Sequence, residues 1–388
     1  MHRSRPALLL LIMLFGVILP GKVTAINVTT GTVDIGLDAA PLLSPPDTIR
    51  TPPDVRYDWW TMLKEGRLDL NDPAVRYPGF LQFCVNVYRW IDQNLNQVDR
   101  EWVNNTLKVG KVRLLSDTWN DVYYFRFDDS PLVMRSQFYA NLGLQANYSI
   151  LSVAYSVDMN SLMKKRKSKH DKLSIYITLA KLYAEAYFWE NDGGAFARTK
   201  DEEGKERESS IYFDGLNFKA AGVMGFYIFN NRRFSFSAPY DLSTYQIRSA
   251  GSAMAGVSGT FYTAHINFSD LPQDVLNQLN YPFLRYRLQY NSVNLIGGYS
   301  YNWVLNRHLL FNTTTLPGIG MSFSFSDSTS GRKSLFSTSI RQMLSLTYNR
   351  KDFFANANAT FHGNLLPDGD LTFMSGILNF QVSAGLRF

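Results

Sequence analysis

The stretch Leu378 to Phe388, reading LNFQVSAGLRF, constrains this chain more than any other. Leu378, Phe380, Val382, Ala384, Leu386 and Phe388 fall on one side, and Asn379, Gln381, Ser383, Gly385 and Arg387 on the other. A period of two is a β-strand with one apolar and one polar face. Met134 to Tyr148 repeats it, with Met134, Ser136, Phe138, Ala140, Leu142, Leu144, Ala146 and Tyr148 set against Arg135, Gln137, Tyr139, Asn141, Gly143, Gln145 and Asn147. Phe353 to His362 repeats it again, with Asn356, Asn358, Thr360 and His362 on the polar side. In a soluble sandwich the polar face meets water. In a membrane barrel it lines the lumen while the apolar face meets lipid.

Repetition along much of the chain favours the barrel, and the N-terminus adds an export signal. MHRSRP carries Arg3 and Arg5 and no acid, an apolar run of about 13 residues follows from Ala7 to Leu19, and Val23-Thr24-Ala25 supplies small residues. This is the pattern of a cleaved secretory signal peptide over 1–25. The run is shorter than the roughly 20 residues of a spanning helix. Loss of Arg3, Arg5 and Lys22 takes the formal charge from +6 to +3. With no later apolar helix, a mature chain that lives in a membrane must do so as a barrel. Cys84 is the single cysteine, so no internal disulfide forms. Its apolar context makes it a small buried hydrophobe.

Residues 26–56 contain PLLSPPDTIRTPPD and read as an extended periplasmic tail. From Gly79 to Asn96 the apolar residues Phe80, Phe83, Cys84, Val87 and Ile91 recur at helical steps, which predicts an amphipathic helix near 79–95. Its apolar stripe needs cover, either as a plug at the barrel's inner mouth or as a docking face. Twelve strands are expected, centred near 112–127, 132–146, 149–158, 173–189, 217–230, 234–246, 252–267, 290–303, 308–325, 335–348, 353–364 and 371–388. A phase switch near Ala180 suggests a bulge. The fold class is therefore all-β: a transmembrane antiparallel β-barrel over 111–388, behind a periplasmic segment over 26–110 with one amphipathic helix. An even strand count puts short turns inside and long loops outside. Residues 190–210 break that rule, being long yet landing in the periplasm.

The polar faces give lumen-facing candidates: Arg135, Gln137, Tyr139, Asn141, Gln145, Arg341, Asn356, Asn358, His362, Gln381 and Arg387. Phe380, Leu386 and Phe388 form the terminal pattern that barrel assembly machinery reads. Lys164, Lys165, Arg166, Lys167 and Lys169 form a basic loop able to pair with lipopolysaccharide phosphates. No aromatic interleaving accompanies the run, which argues against nucleic acid. No metal, cofactor or phosphate-loop spacing is present, and the acidic stretch 201–208 lacks the glycine and spacing of a calcium loop.

Several pieces carry a family resemblance: FLQFCVNVYRW at 80–90, VRLLSDTW at 112–119, GFYIFNNRRFSFSA at 225–238, RSAGS at 248–252 and GGYSYNW at 297–303. From about 78 to 388 the chain resembles the domain of unknown function numbered 4421, an outer-membrane family of Bacteroidetes-type bacteria. That resemblance implies a signal peptide and a barrel in the outer membrane of a Gram-negative bacterium. It implies no activity.

Two function classes follow, neither of them an enzyme. One is a narrow or gated conduit for small solutes, with inward arginines favouring anions. The other is a structural or assembly barrel that anchors a periplasmic or surface partner. A third reading, an outer-membrane hydrolase, needs a serine beside a histidine on the lipid face near the rim. His362 lies on the polar face instead.

Overall fold

The computed structural model describes residues 57–64, 72, 74–106, 110–127, 130–136, 139–148, 151–159, 170–192, 195–198, 211–213, 216–267, 269, 273, 285–326, 333–368 and 371–388. The signal peptide, the tail at 26–56, the basic loop and the acidic stretch at 201–208 lie outside them. The chain divides into two units, Met1–Asp92 and Gln93–Phe388.

In the first unit a short helix, α1 (Trp59–Lys64), follows Tyr57–Asp58, which pairs in parallel with Val75–Arg76. The amphipathic helix forms as expected, as α2 (Gly79–Leu95), and runs past the unit's end. Arg89 Nη2 donates to the Asp72 carbonyl at 2.7 Å. Its buried residue is Val85, whereas Phe80, Phe83 and Val87 of the expected stripe are exposed, with Trp90.

The second unit contains a closed antiparallel barrel of twelve strands. They are β1 (Gly110–Phe127), β2 (Tyr139–Tyr148), β3 (Leu151–Asp158), β4 (His170–Thr178), β5 (Leu182–Asn191), β6 (Leu216–Ile228), β7 (Ala250–Asn267), β8 (Arg285–Val304), β9 (Leu309–Ser326), β10 (Lys333–Arg350), β11 (Phe353–Asp368) and β12 (Leu371–Arg387). Each pairs with the next in chain order. β12 returns to β1 through a ladder from Leu371↔Phe127 to Arg387↔Lys111, which leaves no unpaired edge. At one end, the near end, Phe388 and Gly110 exchange both backbone bonds, at 2.9 and 3.2 Å. Ser130–Ser136 pairs back on the far half of β1, Ala195–Arg198 pairs with Ser130–Ser136, and Ile211–Phe213 pairs with Ala195–Arg198.

The burial pattern inverts that of a soluble protein. Leu295 (66% exposed), Val382 (63%) and Ile319 (60%) point out, whereas Ser300, Asn302, Asn312 and Thr347 are fully buried. An outer wall of exposed leucine, valine and phenylalanine is stable against lipid and a liability against water. Phe380, Leu386 and Phe388 belong to this outer wall.

Twelve is the expected number of strands, but the expected strand 132–146 divides into Ser130–Ser136 and β2, and two further assignments change. The expected strand 173–189 is two strands, β4 and β5, joined at 179–181, where Leu179 N donates to the Leu182 carbonyl at 2.8 Å. The phase switch near Ala180 is this turn, not a bulge. The expected strand 234–246 does not join the barrel. Every residue from Phe234 to Leu242 is buried, on both sides of the chain. With both changes the long segment between β5 and β6 falls at the far end, and the loop-length conflict at 190–210 disappears.

Candidate functional site

The near mouth of the barrel is filled by the connection between β6 and β7, residues 229–249, here called the lid. Its sequence NNRRFSFSAPYDLSTYQIRSA alternates Phe and Ser at first, as a strand would. Pro239 has no amide to give a ladder, and the chain turns into a single helical turn, α3 (Ser237–Tyr240). Leu242 takes a positive φ of 66°, strained for a leucine and held by its surroundings. Phe234, Phe236 and Tyr240 pack on wall residues Tyr183, Met224, Phe226, Met254 and Leu316 to make a small core inside the lumen. Thr244–Gln246 pairs with Val103–Asn105, so residues just before β1 join the same closure. Within the second unit, the near mouth is filled by 229–249 with 103–105.

Polar bonds from the wall fix the lid. The Pro239 carbonyl accepts from Ser345 Oγ at 2.9 Å, Asn356 Nδ2 at 3.0 Å and Thr347 Oγ1 at 3.3 Å. The Leu242 carbonyl accepts twice from Arg387, from Nη2 at 2.8 Å and Nε at 3.0 Å. Arg387 also donates to the Lys351 carbonyl at 2.7 Å and to Asn349 Oδ1 at 2.6 Å, and covers the Phe354 ring at 4.6 Å. Tyr240 Oη lies 2.6 Å from Asn312 Oδ1.

Asp241 is the hub. Its carboxylate accepts from Lys111 Nζ at 2.8 Å, Asn147 Nδ2 at 2.8 Å and Ser152 Oγ at 3.0 Å on the wall, and from Ser237 and Ser243 within the lid. Burial pushes this carboxyl up, but the Lys111 ammonium and the donated hydrogen bonds outweigh burial and hold it below the usual carboxylate range.

Beyond the lid a cavity of about 140 Å³, measured for the centres of water molecules, lies between β1–β5 and β10–β12. Arg113, Lys172, Arg341, Asp117 and Glu185 line it, with Asn358, His362 and Gln381. Arg341 Nη2 meets Glu185 Oε2 at 2.9 Å across the lumen. Arg113 Nε donates to Gln145 Oε1 at 2.7 Å, and Gln145 Nε2 donates to Asn147 Oδ1 at 3.1 Å. A hydrogen-bonded relay therefore runs from Arg113 through Gln145 and Asn147 to Asp241 of the lid.

Other side chains also bridge opposite walls. Tyr123 of β1 meets Phe218 of β6, ring centroids 5.1 Å apart. Asn364 Nδ2 of β11 donates to Tyr262 Oη of β7 at 2.8 Å, and Tyr290 Oη of β8 lies 3.3 Å from Ser375 Oγ of β12. Tyr262 and Tyr290 stack at 4.5 Å.

Of the candidates read from sequence, Asn141, Gln145, Asn356 and Arg387 are buried, and Arg341, Asn358, His362 and Gln381 line the cavity. Arg135 is exposed, while Met134 and Ser136 beside it are buried. The alternation reverses between Ser136 and Ala140, so a phase carried back from Asn141 puts Arg135 on the wrong side. The side chains of Gln137 and Tyr139 lie outside the described residues. Arg113, Asp117, Lys172, Glu185 and the whole lid were missed. The readable signals were the charges Lys111, Arg113 and Asp117, all on the same side of KVRLLSD, and a proline inside an apparent strand.

A family model described as Domain of unknown function (DUF4421) matches residues 113–388. No curated protein matches the chain. Among solved structures, the outer membrane protease OmpT of Escherichia coli is 6% identical with a TM-score of 0.34, covering 72% of this chain and 97% of that one. A loop-deleted OmpT of Vibrio cholerae is 10% identical with a TM-score of 0.25, covering 72% and 100%. The P. putida toluene transporter TodX is 9% identical with a TM-score of 0.25, covering 72% and 90%. These are likenesses of fold and extend to no activity.

Proposed function

We propose that this chain, which belongs to the family described as Domain of unknown function (DUF4421), is an outer-membrane barrel serving as a narrow conduit for small solutes, closed at rest by its own lid. The near end then faces the periplasm, with the lid packed in the barrel's periplasmic mouth and the other long connections outside. One observation carries the reading: the lid is separable from the barrel. It is one inter-strand connection, anchored by side chains that bond its carbonyls at Pro239 and Leu242 and its carboxylate at Asp241. Releasing it breaks the short pairing of Thr244–Gln246 with Val103–Asn105 but none between the twelve barrel strands, and a polar, charge-lined cavity lies directly behind it.

A second reading, a structural barrel without transport, is favoured by the side chains that bridge opposite walls, Glu185–Arg341 and Tyr262–Asn364 among them. The two part on conductance. The conduit reading expects low conductance from the intact protein and stable steps once the lid is cut away. The structural reading expects silence from both.

A further inference from the structure

Arg113 is 4% exposed, and no carboxylate of the described residues lies in ion-pair contact with it. Its neutral partners are Gln145 Oε1 and the Tyr176 hydroxyl, the latter at 3.2 Å from Nη2. Nη1 is buried and bonds to nothing. A buried guanidinium with an unused donor carries a large desolvation cost that a paired anion removes. Arg341 and Lys111 differ, for each has its carboxylate, in Glu185 and Asp241.

We propose that the cavity beside Arg113 is a binding site for one small organic monocarboxylate. The charge count sets the valence: the lining holds Arg113, Lys172 and Arg341 against Asp117 and Glu185, an excess of one positive charge. Geometry sets the headgroup. The Nε side of the fork is taken by Gln145, which leaves Nη1 for one oxygen. Phosphate, which carries roughly two negative charges at neutral pH, exceeds that single positive charge. Asp117 sits four residues along β1, about 13 Å of strand away, and repels an anion from the deeper end. Leu115, Trp119 and Ile377 supply apolar and aromatic surface for the body of the ligand. The proposal deepens the conduit reading by naming what the conduit takes, though binding itself needs no opening of the lid.

The test is calorimetric titration of the full-length protein in detergent with benzoate as the probe and inorganic phosphate as the comparison. Saturable benzoate binding is expected, with phosphate about tenfold weaker or more. Arg113→Gln should lose about tenfold or more in benzoate affinity, the loss of one charge-assisted bond. Arg113→Lys keeps the charge and serves if the glutamine variant does not fold, as judged by its unheated gel mobility. It should also bind more weakly, because lysine lacks the planar fork. Absence of saturable benzoate binding, tighter phosphate binding, or native affinity in a folded Arg113 variant would overturn the site. Benzoate binding without conductance in the lid-free protein would overturn the conduit and leave the site standing. Conductance without benzoate binding would do the reverse.

Discussion

The lumen is closed in two ways that differ in kind. At the near mouth, wall side chains hold an inserted segment by its own carbonyls and one carboxylate. Further in, wall meets wall through Glu185–Arg341, Tyr262–Asn364 and Tyr290–Ser375. The first closure can open while the barrel stays shut at every strand seam. The second is part of what keeps the barrel in shape. Substitutions in the bridges should therefore lower the stability of the whole barrel, and those in the lid should free the lid alone.

The largest stability effect is expected at the bridge ion pair. Glu185→Gln leaves Arg341 buried without its partner, which costs about 3–5 kcal/mol. Urea unfolding in liposomes should show that loss as a lower midpoint for the entire barrel. An unchanged midpoint would mean that the bridge is not structural.

Asp241→Asn leaves Lys111 buried without its carboxylate, a cost that lid release relieves by letting water reach the ammonium, so global unfolding should stay near its native midpoint while hydrogen exchange at the lid amides, Phe236 to Leu242, speeds by about tenfold or more. The same carboxylate fixes the pH response. Its value in the folded protein lies below the unfolded one, so its contribution is complete above the ordinary carboxylate range near about 4 and is lost as pH falls through the lowered value. Lid exchange, corrected for the intrinsic rate, should stay flat from neutral pH down to about 5 and rise only in stronger acid. A rise between neutrality and mild acid would contradict the role given to Asp241.

The smallest effect is expected from Tyr262→Phe. It removes one hydrogen bond and leaves the Asn364 amide short of a partner, at a cost of about 1 kcal/mol. That loss belongs in the urea midpoint and not in lid exchange.

The barrel was legible in the sequence for a physical reason. Lipid outside and a polar lumen inside impose opposite demands on alternate residues, and Leu378 to Phe388 displays them without exception. The strand count came out right through two compensating misreadings. Leu179-Ala180-Lys181 turns the chain without glycine or proline, so β4 and β5 read as one strand. Phe234 to Gln246 mimics a strand because a segment packed inside the lumen also mixes serine with phenylalanine. Loop lengths held the evidence of both errors, since 190–210 fell on the wrong side. The cavity was less legible, because a period of two says which residues face inward but not which of them meet. Glu185 and Arg341 are 156 residues apart and meet only once the barrel closes.

The most direct measurement of the central claim is planar-bilayer conductance of two proteins side by side. One is the intact chain, and the other has residues 231–246 replaced by a short Asn-Gly turn, with heat-modifiable migration confirming that both are folded barrels. The lid account predicts near silence from the intact chain and small, stable conductance steps from the lid-free one. Large steady conductance from the intact chain, or silence from both, would contradict it.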